Sequence, residues 1–250
     1  MAGFDSPTPH LFAHRGGNAA GSNHENTLLA FQSAVELGCK FLETDVIATK
    51  DNRVITYHGS ANLFMKSLFG LEIRKNVQKM NYIKVQKKIK LGEEPVPEFS
   101  EVLSKFKEQN FCIDIKTNES IKPLVEVIKR QKAEKRVIIT SFSKSRSIRA
   151  NRLLYGENFK TACLCVYRMK GMIISMFPAV ILSRMKKQGF RYIHIPYRCV
   201  TKKLLKEAKR QDFKIYAWTV NNQSKMKELL SMGVDGIISD EVELLMKTAK

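Results

Sequence analysis

Near the start of the chain, His14-Arg15-Gly16-Gly17, Glu25-Asn26-Thr27, Glu43-Thr44-Asp45 and His58 follow one another within 45 residues. Two histidines, an arginine and a Glu-x-Asp pair are the groups needed to hydrolyse a phosphodiester on a metal ion, so the chain reads as an enzyme. Glu43 and Asp45 stand two apart in an otherwise apolar run (Phe41, Leu42, Val46, Ile47). On a strand both would project to one face. Two such carboxylates repel each other and lose hydration at a cost, unless a cation neutralises them.

Asp114 and Lys116 repeat that spacing in the run FCIDIK. With Asp114 the carboxylates become three, an all-oxygen set suited to one divalent metal, Mg²⁺ or Ca²⁺. Lys116 beside them is placed to hold a phosphate oxygen. An internal ion pair between Asp114 and Lys116 is the alternative. His14 and His58 are the candidates for proton transfer, because imidazole titrates near neutrality. His10, His24 and His194 lack comparable company and are set aside.

Eight short apolar runs have the character of strands: His10 to His14, Phe41 to Ile47, Phe111 to Lys116, Val137 to Phe142, Thr161 to Val166, Tyr192 to Ile195, Lys214 to Thr219 and Val234 to Ser239. Between them lie helical patterns at Asn26 to Leu37, Ser100 to Gln109, Ile121 to Gln131, Ser145 to Leu154, Ile173 to Gln188, Thr201 to Gln211 and Ser224 to Met232, with Ser100, Thr201 and Asn222 placed to cap. Eight strands alternating with helices specify an α/β fold, a single (β/α)8 TIM-like barrel. Catalytic groups of such barrels sit at the C-terminal ends of the strands, which brings His14, Arg15, Glu43, Asp45, Asp114, Lys116 and Ser141 to one face. After the second strand, Arg53 to His58 alternates as a hairpin partner and leads into a basic insert spanning residues 59–95.

The length, 250 residues with 44% hydrophobic content, suits one barrel domain over residues 1–250. Cys39, Cys112, Cys163, Cys165 and Cys199 are odd in number and mostly embedded in apolar runs, so they read as core fillers in a reducing compartment. The first residues offer no secretory signal, and a cytoplasmic location, peripheral to the inner face of a membrane, is expected. Forty-three Lys plus Arg against 24 Asp plus Glu give +19, a field that favours polyanions. Eleven uncharged residues, Met172 to Leu182, are too few to span a bilayer. They read first as a buried barrel helix weakened by Pro178, and second as an interfacial segment which, with Leu63 to Phe69, rests on an anionic membrane.

The series His-Arg-Gly, Glu-Asn-Thr, Glu-Thr-Asp-Val, His58, Asp-Ile-Lys, Trp218-Thr-Val-Asn and Gly233 to Asp240 resembles the glycerophosphodiester phosphodiesterase family, in order and over almost the whole chain. The resemblance implies a barrel hydrolase that releases glycerol 3-phosphate and an alcohol. It implies Glu43, Asp45 and Asp114 as metal ligands, His14 and His58 as the acid/base pair, Arg15 and Lys116 on the phosphate, and Trp218 against the glycerol. The sequence departs from the family pattern in Gly59-Ser60 after His58, where Asp is usual, and in His24 where Pro is usual. Asp-x-Lys at Asp114 resembles the lysophospholipase D branch and tilts the expected substrate from a water-soluble glycerophosphodiester toward a lysophospholipid. No nucleic-acid partner is expected. The competing reading is a non-catalytic, basic membrane- or nucleic-acid-binding protein on a decayed barrel.

Overall fold

A computed structural model describes residues 3–21, 24–59 and 76–249. Eight parallel strands close on themselves: β1 (His10–Ala13), β2 (Phe41–Ala48), β6 (Asn110–Ile115), β7 (Val137–Ser141), β8 (Ala162–Cys165), β9 (Phe190–Pro196), β10 (Lys214–Trp218) and β11 (Gly236–Ser239), which pairs back onto β1. β3 (Val54–Thr56) is added antiparallel to the end of β2, with Val46 opposite Thr56, as the hairpin reading requires. β4 (Lys90–Leu91) and β5 (Glu94–Pro95) form a separate two-stranded ribbon. The Leu63 to Phe69 stretch lies outside the described residues.

Helices α1 (Leu28–Glu36), α2 (Tyr82–Lys88), α3 (Phe99–Lys105), α4 (Ile121–Arg130), α5 (Lys144–Tyr155), α6 (Arg168–Met176), α7 (Pro178–Lys186), α8 (Lys202–Arg210), α9 (Gln223–Ser231) and α10 (Val242–Thr248) lie between or after the strands. Thr201 and Asn222 cap α8 and α9 by accepting from Leu204 N and Lys225 N. Ser100 does not cap: α3 starts one residue earlier behind Glu98, and the Ser100 hydroxyl donates to the Glu98 carboxylate instead. The stretch expected as one buried helix from Ile173 is two helices, α6 and α7. They meet at Phe177 because Pro178 lacks the N–H an uninterrupted helix would use and is well suited to a first helical position.

Alternation along the strands sorts the barrel interior into storeys. The lower storey is apolar: Phe12, Phe41, Cys112, Ile138, Cys163, Tyr192, Tyr216 and Ile238 pack together, and Phe4, from a turn of 3₁₀ helix ahead of β1, plugs the bottom with its ring 5.4 Å from that of Phe41. His10 belongs here, buried with its Nδ1 2.9 Å from the Tyr216 hydroxyl. Outward-facing residues of the strands, such as Leu42, Ile113 and Ile139 on one side and Leu164, Ile193, Ile215 and Ile237 on the other, pack under the helices. All five cysteines are buried and free. Among the described residues no helix is long and apolar enough to cross a membrane.

Candidate active site

Two residues above the apolar storey, each strand presents a different kind of side chain. The upper storey and the loop starts hold His14, Glu43, Asp45, Asp114, Lys116, Thr140, Phe142, Cys165, Tyr167, His194 and Trp218, lining a cavity of about 310 Å³ that also includes Arg15, His58, Ser141 and Arg146. The eight residues singled out from sequence, namely His14, Arg15, Glu43, Asp45, His58, Asp114, Lys116 and Trp218, all line this one cavity.

The turn after β1 sets the geometry of His14 and Arg15. Arg15 adopts φ 54° and Gly16 φ 88°, and a Cβ on Gly16 would come within 2.7 Å of the Ala30 Cβ, so only glycine lets α1 pack this close. His14 Nδ1 lies 2.6 Å from Asp240 Oδ1, and its Nε2 faces Glu43 at 3.8 Å. Asp240 is in turn held by Asn221, whose amide donates to Oδ2 at 2.7 Å. Burial opposes ionisation of Asp240, but the His14 and Asn221 contacts hold its carboxyl below the usual range.

The Glu25-Asn26-Thr27 motif is the clamp of this corner. Glu25 accepts from the Arg15 guanidinium at 2.7 Å, and Thr27 caps α1 by accepting from Ala30 N at 3.0 Å. Asn26, at φ 63°, accepts from the Thr44 hydroxyl at 2.8 Å and from Asp45 N at 3.2 Å, while its carbonyl accepts from Thr56 Oγ1 at 2.8 Å. One residue, its side chain on β2 and its backbone carbonyl on β3, thereby ties the two strands. Tyr57 N donates to Asp45 O at 2.9 Å, which carries His58 over the mouth.

Asp45 and Asp114 lie directly opposite each other on neighbouring strands, and Glu43 is opposite Cys112. The Lys116 ammonium sits between the two aspartates, 2.5 Å from Asp45 Oδ1 and 2.5 Å from Asp114 Oδ2, so the internal ion pair read as an alternative is present in this state. Arg15 Nε stands 2.8 Å from Asp45 Oδ2, off the hydrogen-bond direction, and Arg15 N donates to Glu43 Oε2 at 3.1 Å. Burial is the largest influence on each acid, and the neighbours decide the outcome. For Asp45 it is overcome by Lys116 and Arg15, with His58 adding, and the carboxyl titrates well below the usual range. Glu43 is pushed up to about 7 by burial and by Asp45, against His14, Arg15 and Lys116. Burial also raises Asp114, with Lys116 opposing and Asp45 adding.

Asp114 Oδ1 is buried with no hydrogen-bond partner. An orphaned carboxylate oxygen next to a carboxyl raised by confinement is what a hard cation with oxygen ligands would relieve, so the donor set fits a divalent ion. Among the described residues, no three acidic, histidine or cysteine side chains already converge on a single ion-sized point. Lys116 occupies the gap between two of the three acids.

Model matching assigns residues 14–244 to the glycerophosphoryl diester phosphodiesterase family. The chain belongs to this family. It is 30% identical over 228 residues to a probable glycerophosphodiester phosphodiesterase 2 of Mycobacterium tuberculosis, covering 88% of this chain and 83% of that one. A lysophospholipase D of Mus musculus is 26% identical over 268 residues, covering 91% of this chain and 82% of its own. The fold is that of a phosphodiesterase from Oleispira antarctica solved in complex with sn-glycerol-3-phosphate, with a TM-score of 0.75, 19% identity and 96% of each chain covered. This glycerophosphodiester phosphodiesterase is therefore an enzyme of the phosphoric diester hydrolase class.

The same cavity also contains groups that the sequence leaves without a role. His194, set aside for want of company, faces the same cavity from β9. Burial, with a contribution from His14, lowers it to about 3, so it stays neutral with its Nε2 3.5 Å from Cys112 Sγ. Phe142 and Tyr167 join Trp218, already singled out, in an aromatic wall: Phe142 stacks on Tyr167 at 4.3 Å and meets Trp218 edge-on at 5.6 Å. Arg146, from the first turn of α5, donates to Ile115 O at 3.0 Å and lines the cavity behind Lys116. One signal for most of them lies in the sequence: Cys165 and His194 each stand two residues after a lower-storey side chain, as Trp218 does, and Phe142 and Tyr167 four after.

Proposed function

We propose that this protein hydrolyses glycerophosphodiesters to glycerol 3-phosphate and an alcohol, that lysophospholipids are within its range, and that it works at the surface of an anionic membrane. The observation that carries the reading is the His14–Asp240 contact at 2.6 Å in the same cavity as His58, Glu43, Asp45 and Asp114. Asp240 accepting from Nδ1–H leaves Nε2 of His14 facing the cavity, the arrangement by which a carboxylate orients an imidazole for proton transfer. One histidine takes the proton of the nucleophile while the other delivers a proton to the leaving alkoxide, each contributing about 10²- to 10⁴-fold. The nucleophile is water, or the neighbouring substrate hydroxyl with a cyclic phosphate as intermediate.

The family generally depends on a divalent metal. Glu43, Asp45 and Asp114 would hold Mg²⁺ or Ca²⁺ here, and the bound ion would neutralise charge developing on the phosphoryl oxygens. Arg15 and Lys116, now engaged by Glu25, Asp45 and Asp114, are positioned to exchange those partners for phosphate oxygens. Trp218 closes one side of the cavity against the glycerol. Substrate binding with release of the Lys116–Asp114 contact makes the internal ion pair a resting state and not an alternative to catalysis.

The test is hydrolysis of glycerophosphocholine and lysophosphatidylcholine by purified protein in EDTA, Mg²⁺ or Ca²⁺. Choline is measured together with glycerol 3-phosphate or lysophosphatidic acid, and ³¹P spectra report any cyclic phosphate. Metal-dependent choline release that Glu43→Ala abolishes supports the reading. No release from either substrate with either metal would return the chain to a non-catalytic binding role.

A further inference from the structure

α6 is an extra helix in the loop after β8, at the catalytic end of the barrel, and it lies against the turn that follows β9. Gly171 permits the close approach, since a Cβ there would stand 3.1 Å from both Cys199 Sγ and Ile195 Cγ1. Ser175 Oγ donates to the Cys199 carbonyl, and Lys203 Nζ donates to Met176 O at 3.0 Å. Gly171 and Ile174 form the buried side. The opposite side is apolar too: Met169 (76% exposed), Met172, Ile173 and Met176 follow a spacing of three and four residues along one face, and Phe177 (59%) and Val180 continue it onto α7.

Seven of the ten large apolar side chains exposed among the described residues fall between Tyr167 and Val180. Apolar side chains exposed singly are ordinary, whereas a contiguous set marks an interaction surface. Its surroundings decide the partner. From residue 158 to residue 206 there is no Asp or Glu, while Arg168, Lys170, Arg198, Lys202 and Lys203 are exposed around the apolar face. An apolar helix face flanked by these cations complements an anionic lipid surface, with acyl chains beneath the apolar side chains and headgroups against the lysines and arginines. The face also runs into the active site: Tyr167, at the N-cap of α6, stacks on Phe142 and lines the cavity.

We infer that the exposed face of α6, with Phe177 and Val180, seats the catalytic mouth on an anionic bilayer, so that a lysophospholipid presents its headgroup to the cavity without leaving the lipid. The choice of substrate rests on the function proposed above, whereas the docking surface does not. The test uses the full chain and two vesicle compositions, pure phosphatidylcholine and phosphatidylcholine with phosphatidylglycerol, in a co-sedimentation titration. Binding at least tenfold tighter to the anionic vesicles is expected. A Met172→Ser, Met176→Ser, Phe177→Ser variant loses at least tenfold in that binding and in turnover of vesicle-borne lysophospholipid. Its hydrolysis of soluble glycerophosphocholine and its thermal unfolding stay as in the parent. Equal binding to both vesicles, unchanged binding by the triple variant, or a dimer by light scattering that the triple variant abolishes, which would assign the face to a second copy, overturns the inference. If vesicle binding follows the expected pattern and neither substrate is cleaved, the docking surface stands and the hydrolytic part of the proposed function fails.

Discussion

Asp240 stands out in the sequence only as the last residue of the Gly233 to Asp240 run, yet it touches the imidazole proposed for proton transfer. Replacing it by Asn keeps the shape and the Asn221 neighbour but removes the charge that fixes the His14 tautomer. For Asp240→Asn, kcat is expected to fall about 10²-fold or more while KM moves only a few-fold, because the group acts on the transfer step and not on substrate contact. A kcat within threefold of the parent would remove Asp240 from the mechanism. Glu43 gives a second prediction. Its carboxyl is raised from the ordinary 4.5 to about 7, so between those values the folded protein holds a proton that the unfolded chain has released. Folding without metal is then progressively disfavoured as pH rises from about 4.5 to 7, and a metal must displace that proton to use the carboxylate. The metal concentration giving half-maximal activity should rise up to about tenfold per pH unit below 7, measured by metal titration at several pH values. A requirement that does not change with pH would mean that Glu43 is already ionised.

At the scale of elements, much was legible and the rest has identifiable causes. Strand and helix order followed from apolar periodicity, and the β2–β3 hairpin from the alternation of Arg53 to His58 just after the second strand, because both signals are local. The failures at Ser100 and at the α6–α7 junction arise where chain direction is set by tertiary packing: Phe99 is fully buried and starts α3 ahead of the best capping residue, and Gly171 seats α6 on the turn after β9. The pattern of polar residues standing two places after apolar ones was available but unused, since its meaning depends on knowing which strand face is the interior. Asn26 is the element-scale device most open to test. Asn26→Ala leaves the buried Asp45 N–H and Thr44 hydroxyl without their acceptor and puts Ala at a positive φ, so a stability loss of about 2–4 kcal/mol is expected from thermal or urea unfolding. A loss under 1 kcal/mol would show that the Asn26 side chain contributes little to holding β2 at this corner.

For the whole molecule, the closed barrel separates two demands. Twelve described residues of the upper storey and loops, from His14 to Trp218, are free to be charged or aromatic because the apolar storey and helices beneath them carry the packing. The +19 charge was legible as an attraction to polyanions and illegible as to where it acts, since only the folded chain brings the acid-free stretch from 158 to 206 around one apolar face. The plug of Phe4, Phe12, Phe41 and Tyr216 has a consequence for traffic. A barrel stopped at its floor is a vessel with one opening, so water, diester, alcohol and phosphomonoester must share a doorway. With the phosphoryl group proposed against Arg15 and Lys116, the alcohol would go first and the phosphomonoester would stay against those cations until it follows. Glycerol 3-phosphate should then act as a competitive inhibitor while choline does not, a difference that initial rates with each product added would reveal. An enzyme of this shape throttles itself when its own product accumulates.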